Sequence, residues 1–172
     1  FINSKDDNVY IMEEFVNGYV QTYDGIVDSQ GNMLFESGNI TPLSLMDIVN
    51  NNGDSVYYLV KELPEKIRQA GLATVKSFGV KSRFIHLEFF VLNEDQEGLG
   101  KKGDVLGLEV NMRPAGGFTP EMYNYSQETD VYKIWADMVA FDTDTKGTGN
   151  HHYCAFYAGR DGKQYKFDDY EI

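Results

Sequence analysis

Phe84-Ile85-His86-Leu87-Glu88-Phe89-Phe90 and Leu108-Glu109-Val110-Asn111-Met112-Arg113-Pro114 are the two stretches on which the reading of this chain turns. Along an extended strand, side chains two apart share a face. Glu109, Asn111 and Arg113 therefore project to one side, and Leu108, Val110 and Met112 to the other. His86 and Glu88 likewise share a face, and a suitable register sets Glu88 beside Glu109 or Asn111. The first stretch is nearly apolar on both faces, and Glu and His in such surroundings seldom lack a partner.

Two carboxylates and an amide oxygen are hard ligands of the kind magnesium or manganese accepts, and a nearby guanidinium can hold phosphate oxygens. Without a cation, two carboxylates so close would repel, and one would be driven to take up a proton. The alternative reading is a solvated strand face whose charges form weak cross-strand pairs. On that reading the domain is structural, or it mediates an interaction.

Outward from these stretches, Arg83 to Leu92 and Asp104 to Met112 read as strands. Asn93 to Gly103 joins them as the loop of a long antiparallel hairpin. Pro114-Ala115-Gly116-Gly117 ends the hairpin in a loop. Residues 8 to 36 read as strands, with Val9, Ile11 and Phe15 alternating, Tyr19 to Val27 rich in β-branched and aromatic residues, and a turn at Asp28 to Asn32. Thr41-Pro42 predicts the start of a short helix over 42–51, followed by a strand over 55–61. Leu63-Pro64-Glu65 opens a second helix with an apolar stripe of Ile67, Ala70, Gly71, Val75 and Phe78, ending at Gly79. Thr129 or Asp130 caps a third, with Val131, Ile134, Trp135 and Met138 at helical spacing. Residues 151 to 167 predict a last hairpin turning at Asp161-Gly162. The sum is a single α+β domain, an antiparallel β-sheet with flanking helices.

Composition agrees. The 172 residues carry 27 acidic and 15 basic side chains, a net charge of −12, which argues against a nucleic-acid partner. Cys154, the single cysteine, excludes an intrachain disulfide and a cysteine-built zinc site, and reads as an inert thiol. His151 and His152, adjacent on a strand, would face opposite ways and are read as structural. With no apolar run long enough to span a bilayer and no signal-peptide pattern, a cytoplasmic protein without membrane contact is expected.

The quoted motifs resemble those of the ATP-grasp enzymes, which join a carboxylate to an amine or similar nucleophile through an acyl phosphate. Glu109-Val110-Asn111-Met112-Arg113 is similar to that family's Glu-x-Asn-x-Arg strand, preceded by a carboxylate at Glu88 in a His-x-Glu setting. The resemblance implies that Glu88, Glu109 and Asn111 ligate Mg2+ (or Mn2+) bridging the phosphates of ATP. It also implies that Arg113 contacts phosphate or the acyl-phosphate oxygens, and that Arg113 to Gly117 faces the carboxylate substrate. Tyr10-Ile11-Met12-Glu13-Glu14-Phe15-Val16-Asn17-Gly18 is similar to the segment linking the two halves of that fold, so Glu13, Glu14, Phe15 and Val16 would contact adenine. Gly18 is followed by Tyr19-Val20 where many members carry an acidic residue, a departure that bears on ribose recognition.

The family's first half, with its lysines and glycine-rich phosphate loop, has no counterpart before Tyr10. The chain is therefore expected to be the carboxy-terminal ATP-grasp subdomain of a longer parent, residues 1–16 linking and 17–172 forming the sheet with its helices. The implied partners are small-molecule carboxylate and nucleophile substrates, and a homodimer is compatible with the resemblance. A non-catalytic nucleotide-binding or regulatory module is the alternative within the same fold.

Overall fold

The computed structural model describes residues 11–143, 145–147 and 149–166. Its centre is β1 (Gly18–Val27) paired along its whole length with β5 (Arg83–Leu92), antiparallel, from Gly18 opposite Leu92 to Val27 opposite Arg83. Strands β2 (Met33–Ser37), β3 (Asn39–Thr41), β4 (Ser55–Leu59), β6 (Val105–Asn111) and β7 (Cys154–Ala158) complete the sheet. The hydrogen-bonded order is β6-β5-β1-β3-β4-β7, with β2 pairing β1 outside that path, and every pairing is antiparallel.

Alternation along β1 and β5 sorts the core onto two faces. Tyr23, Val27, Ile85, Leu87 and Phe89 lie on one, packed with Ile67 and Val75 of α2 (Glu65–Ser77). Ile26 and Phe84 lie on the other, packed with residues of the helices α3 (Thr119–Gln127) and α4 (Val131–Phe141). The short α1 (Leu45–Asn50) lies between β3 and β4 in sequence. α3 and α4 cover part of the second face, and the rest of it carries the even-numbered polar residues of β1 and β5.

The α+β class and the β5–β6 hairpin are as the sequence predicts, as is α4 with its Asp130 cap, whose carboxylate accepts from the Lys133 amide. Four expectations need correction. The first helix begins at Leu45 on a Ser44 cap, because the Ser44 hydroxyl accepts from the Asp47 amide. Phe78 is exposed rather than in the stripe, since α2 has ended by then and Gly79 turns the chain with φ of +59°. Residues 11–17 are not a strand: the Gln96 side chain binds the Phe15 carbonyl and the Asn17 amide, in place of a neighbouring strand. Val9 lies outside the described residues. Finally, the closing hairpin expected over 151–167 does not form among the described residues, which end at 166. β7 pairs instead with β4, and although Asp161-Gly162 does turn, residues 163–166 return without joining the sheet.

α3 is unheralded in the sequence reading. Its apolar stripe is short, and three of its buried positions are polar: the Thr119 hydroxyl shares a hydrogen bond with that of Tyr57, Ser126 donates to the His152 carbonyl and Gln127 to the Glu36 carbonyl. The available signal was Thr119-Pro120, a proline in the first helical turn.

Candidate functional site

Register decides the site. Glu88 stands directly opposite Glu109, and His86 directly opposite Asn111. On its other side β5 meets β1, where Thr22 is opposite Glu88 and Asp24 opposite His86. Two cross-strand rows thus lie side by side on the face that α3 and α4 leave partly open: Thr22, Glu88 and Glu109 in one, Asp24, His86 and Asn111 in the other. A bulge falls between Glu88 and Phe89, whose partner is Gly107, so Leu108 is the extra residue on β6. This corrects the simple alternation: Leu108 lines the same cavity as Glu88 and His86.

The rows are wired together. His86 Nδ1 lies 2.6 Å from an Asp24 oxygen, and its Nε2 lies 3.0 Å from a Glu88 oxygen. With a carboxylate at each ring nitrogen, the imidazolium can donate on both sides. Burial alone would lower the His86 pKa, but hydrogen bonds to Asp24 and Glu88 outweigh it and push the value up to about 9. The same bond from His86 holds Glu88 below its ordinary value against the opposing effect of burial, with help from the charges of His86 and Arg113. Asp24, only 1% exposed, also accepts from the Thr22 hydroxyl, which in turn accepts from the Asn39 amide at 2.9 Å. Beneath it, burial and then the Asp24 carboxylate raise the Tyr123 phenol well above its usual range.

Sequence reasoning passed over Asp24. The signal was an acid in the middle of the otherwise strand-forming run Tyr19 to Val27, where a charge is costly unless it is paired. His86, read only as a neighbour of Glu88, proves to be the hinge between two carboxylates.

Of the residues singled out in the sequence, Glu88, Glu109 and Asn111 come together on one face. Glu109 is exposed on the edge strand, Glu88 is half-buried, and the Asn111 amide nitrogen is buried with no hydrogen-bond partner among the described residues. Leaving such a donor unpaired costs about 1–3 kcal/mol, so the site is short of an acceptor there. Among the described residues no group of three or more His, Cys, Asp and Glu side chains is arranged to hold a metal. Two opposed carboxylates and an amide still suit magnesium, which keeps water and phosphate oxygens among its ligands and rarely takes an all-protein cage.

Arg113 lies just beyond β6. Its guanidinium donates to the Pro114 carbonyl at 2.9 Å and lines a second cavity of about 460 Å3 with Arg83 and Trp135. Glu13, Glu14 and Phe15 are exposed and Val16 is half-buried, just ahead of β1. Ile11 and Met12 are exposed as well, just ahead of the sheet. His151 and His152 lie outside the strands: His152 pairs with Glu128 at 3.0 Å, and His151 approaches the Lys61 carbonyl.

The main cavity, about 640 Å3, crosses the sheet from β6 to β7 and is closed at one end by Ala115 to Thr119. A volume of that order suits one small-molecule ligand.

Comparison with solved structures bears on this arrangement. The chain matches phosphoribosylglycinamide synthetase from Anaerococcus prevotii with a TM-score of 0.61 at 15% identity, over 83% of this chain and 35% of that one. It matches L-amino acid ligase from Bacillus licheniformis with a TM-score of 0.58 at 17% identity, over 78% of this chain and 34% of that one. It also matches the biotin carboxylase domain of Hydrogenobacter thermophilus 2-oxoglutarate carboxylase, in complex with MgADP, ADP and bicarbonate, with a TM-score of 0.57 at 16% identity, over 83% of this chain and 30% of that one. The fold is that of an ATP-grasp subdomain. This subdomain spans about a third of the length of the structures it matches. No protein-family model and no curated protein matches the sequence. Among the described residues, no helix is long and apolar enough to cross a membrane.

Proposed function

We propose that this ATP-grasp subdomain is the carboxy-terminal half of an ATP- and Mg2+-dependent ligase that joins a carboxylate to an amine or similar nucleophile. The observation that carries the proposal is the Glu88–Glu109 pair, opposed across β5 and β6 with the unpaired Asn111 amide beside it. The structural neighbours support it in kind: one is an L-amino acid ligase, and another is in complex with MgADP and bicarbonate.

In this reading Glu88, Glu109 and Asn111 would hold the divalent cation through their side-chain oxygens. When bound, that cation neutralises charge developing on the transferred phosphoryl group. His86 engages one Glu88 oxygen and so fixes the direction in which the other points, while Asp24 and Thr22 lock the imidazole from behind. The Asn111 N–H can donate to a phosphate oxygen, and Arg113 at the rim supplies positive charge to the acyl-phosphate oxygens. Glu13 to Val16 offer backbone groups and the Phe15 ring to adenine. The rest of the adenine site and the phosphate-covering loop belong to the first half of such enzymes.

The reaction closes in two steps. A carboxylate oxygen attacks the γ-phosphorus, the bond to the bridging oxygen breaks, and ADP departs with that electron pair. The nucleophile's nitrogen then attacks the acyl carbon, the bond to the phosphate oxygen breaks, inorganic phosphate leaves, and the nitrogen releases its proton to solvent.

The test is MgADP binding by calorimetry in the full-length protein. Glu109→Ala and Glu88→Gln should each weaken magnesium-dependent binding by about 10-fold or more, since losing one such group typically costs a few kcal/mol. Binding that is the same in both variants and indifferent to magnesium would instead leave the carboxylates as surface charges.

A further inference from the structure

Resting on the ligase reading, we infer that the acid accepted here is a dicarboxylate held in the cavity past the end of β6, its reacting carboxylate at Arg113 and its other carboxylate at Arg83. The direction of the strands sets the place. From the end nearest residues 11–17, the cross-strand pairs on the open face run Val20–Phe90, Thr22–Glu88, Asp24–His86 and Ile26–Phe84, each about 7 Å beyond the last. A nucleotide whose base lies by residues 13–16 and whose phosphates lie over Glu88 occupies the first two. Attacking and leaving oxygens must lie roughly in line across the γ-phosphorus, so the acid lies further along the same line, towards Phe84.

The second cavity, of about 460 Å3, is there. β6 ends at Asn111, opposite His86, so among the described strands none flanks β5 on that side from Ile85 back to Arg83. Arg83 and Phe84 of this free edge, Met112 to Pro114, and Trp135 of α4 line the space. Met112 packs with the core on the α2 side and Phe84 with the core on the other, so the cavity lies at the sheet edge between elements of this chain. It adjoins the main cavity, because Phe84 and Pro114 line the one where His86 and Ala115 line the other. Arg113 bridges the two, since it lines the second cavity while its charge acts on Glu88 in the first.

Charge identifies the occupant. The chain has a net charge of −12, yet this lining holds two guanidiniums and no carboxylate. Of the four arginines, Arg68 is paired with Glu36, and Arg160 donates to the Gly53 carbonyl. Arg113 donates to the carbonyl of the next residue, and the Arg83 side chain has no ion pair or hydrogen bond among the described residues. Each guanidinium can grip a carboxylate through two parallel N–H bonds. The rest of the lining is largely apolar, with the Phe84 and Trp135 rings 5.2 Å apart. A short carbon chain with a carboxylate at each end matches both cations and the surface around them, whereas a monoacid leaves Arg83 unpaired.

The experiment uses the full-length protein with MgATP and hydroxylamine, whose nitrogen displaces phosphate from an acyl phosphate to give a hydroxamate. Matched acids are compared: succinate and glutarate with butyrate and valerate, and aspartate and glutamate with asparagine and glutamine. The dicarboxylates should exceed their counterparts in kcat/KM by about tenfold or more, the worth of one charge-assisted contact. Arg83→Gln should remove most of that preference, chiefly through KM, and Arg83→Lys should keep part of it. Arg83→Glu should favour 4-aminobutyrate over glutarate, a reversal that a structural role for Arg83 would not produce. Equal or better use of the monoacids by wild type, or a preference unmoved in Arg83→Gln, overturns the inference and leaves the ligase reading standing. Acid-dependent hydroxamate from none of them overturns the ligase reading. Saturation-transfer NMR on the MgADP-loaded protein then judges the cavity alone. Glutarate bound to wild type and lost in Arg83→Gln keeps the dicarboxylate site, and no binding, or binding unchanged in the variant, ends it.

Discussion

At the scale of single residues, His86 is the point where structure and chemistry meet. A ring only 8% exposed holds a proton because two carboxylates flank it, and its bond to Glu88 holds that carboxylate in place. The sign of the resulting pH dependence follows from the raised value. An imidazole with a folded-state pKa of about 9, against about 6.5 when unfolded, contributes stability that is complete below the unfolded value. That contribution is lost as pH rises through the window between the two, and is on the order of 3 kcal/mol at most. Thermal melts in chelator from pH 6 to 10 should show wild-type Tm falling across that window, with His86→Gln lacking this part of the decline. Parallel curves for the two proteins would mean that His86 is neutral and the network is mis-assigned. Alternation in the sequence was enough to place Glu109 with Asn111 and Glu88 with His86. It could not supply Asp24 or Thr22, because both sit on a strand distant in sequence and only pairing with β5 brings them in.

At the scale of elements, legibility follows how local the determinants are. β5 and α4 carry their own pattern and cap, and both form where the sequence puts them. β6 is read correctly as a strand, but its bulge is invisible: nothing in Val105 to Asn111 announces that Leu108 will be skipped by the ladder. α3 is hidden because its buried Ser126 and Gln127 satisfy distant backbone carbonyls, a tertiary arrangement that periodicity does not encode. β7 pairs with β4 rather than with the segment after it, for the same reason. α2 shows how tightly one helix is keyed to the sheet. A Cβ at Gly71 would strike the Tyr23 ring, which is fully buried and whose hydroxyl donates to Glu36 at 2.7 Å. Gly71→Ala should therefore destabilise the domain by about 1–3 kcal/mol despite its better helix propensity. Urea unfolding monitored by circular dichroism would check it, and an unchanged or higher midpoint would show that the helix can slide away from Tyr23.

At the scale of the whole molecule, the sheet is covered by α2 on one face and only partly by α3 and α4 on the other. The uncovered part is the cleft, with Glu88 on β5 and Glu109 on the edge strand β6 towards one side, and Tyr57 of β4 and Phe156 of β7 towards the other. The subdomain spans about a third of the length of the proteins it matches, so its cleft is one wall of a site whose other wall the first half of an ATP-grasp enzyme would supply. The central claim is that a carboxylate attacks ATP within that cleft, and the fate of one oxygen atom tests it. Acid labelled with 18O in its carboxylate should be incubated with MgATP and nucleophile in the full-length protein, and the released phosphate examined by mass spectrometry. Phosphate carrying an oxygen from the acid is the expected result, and phosphate free of label, formed at the same rate with or without the acid, would contradict the account.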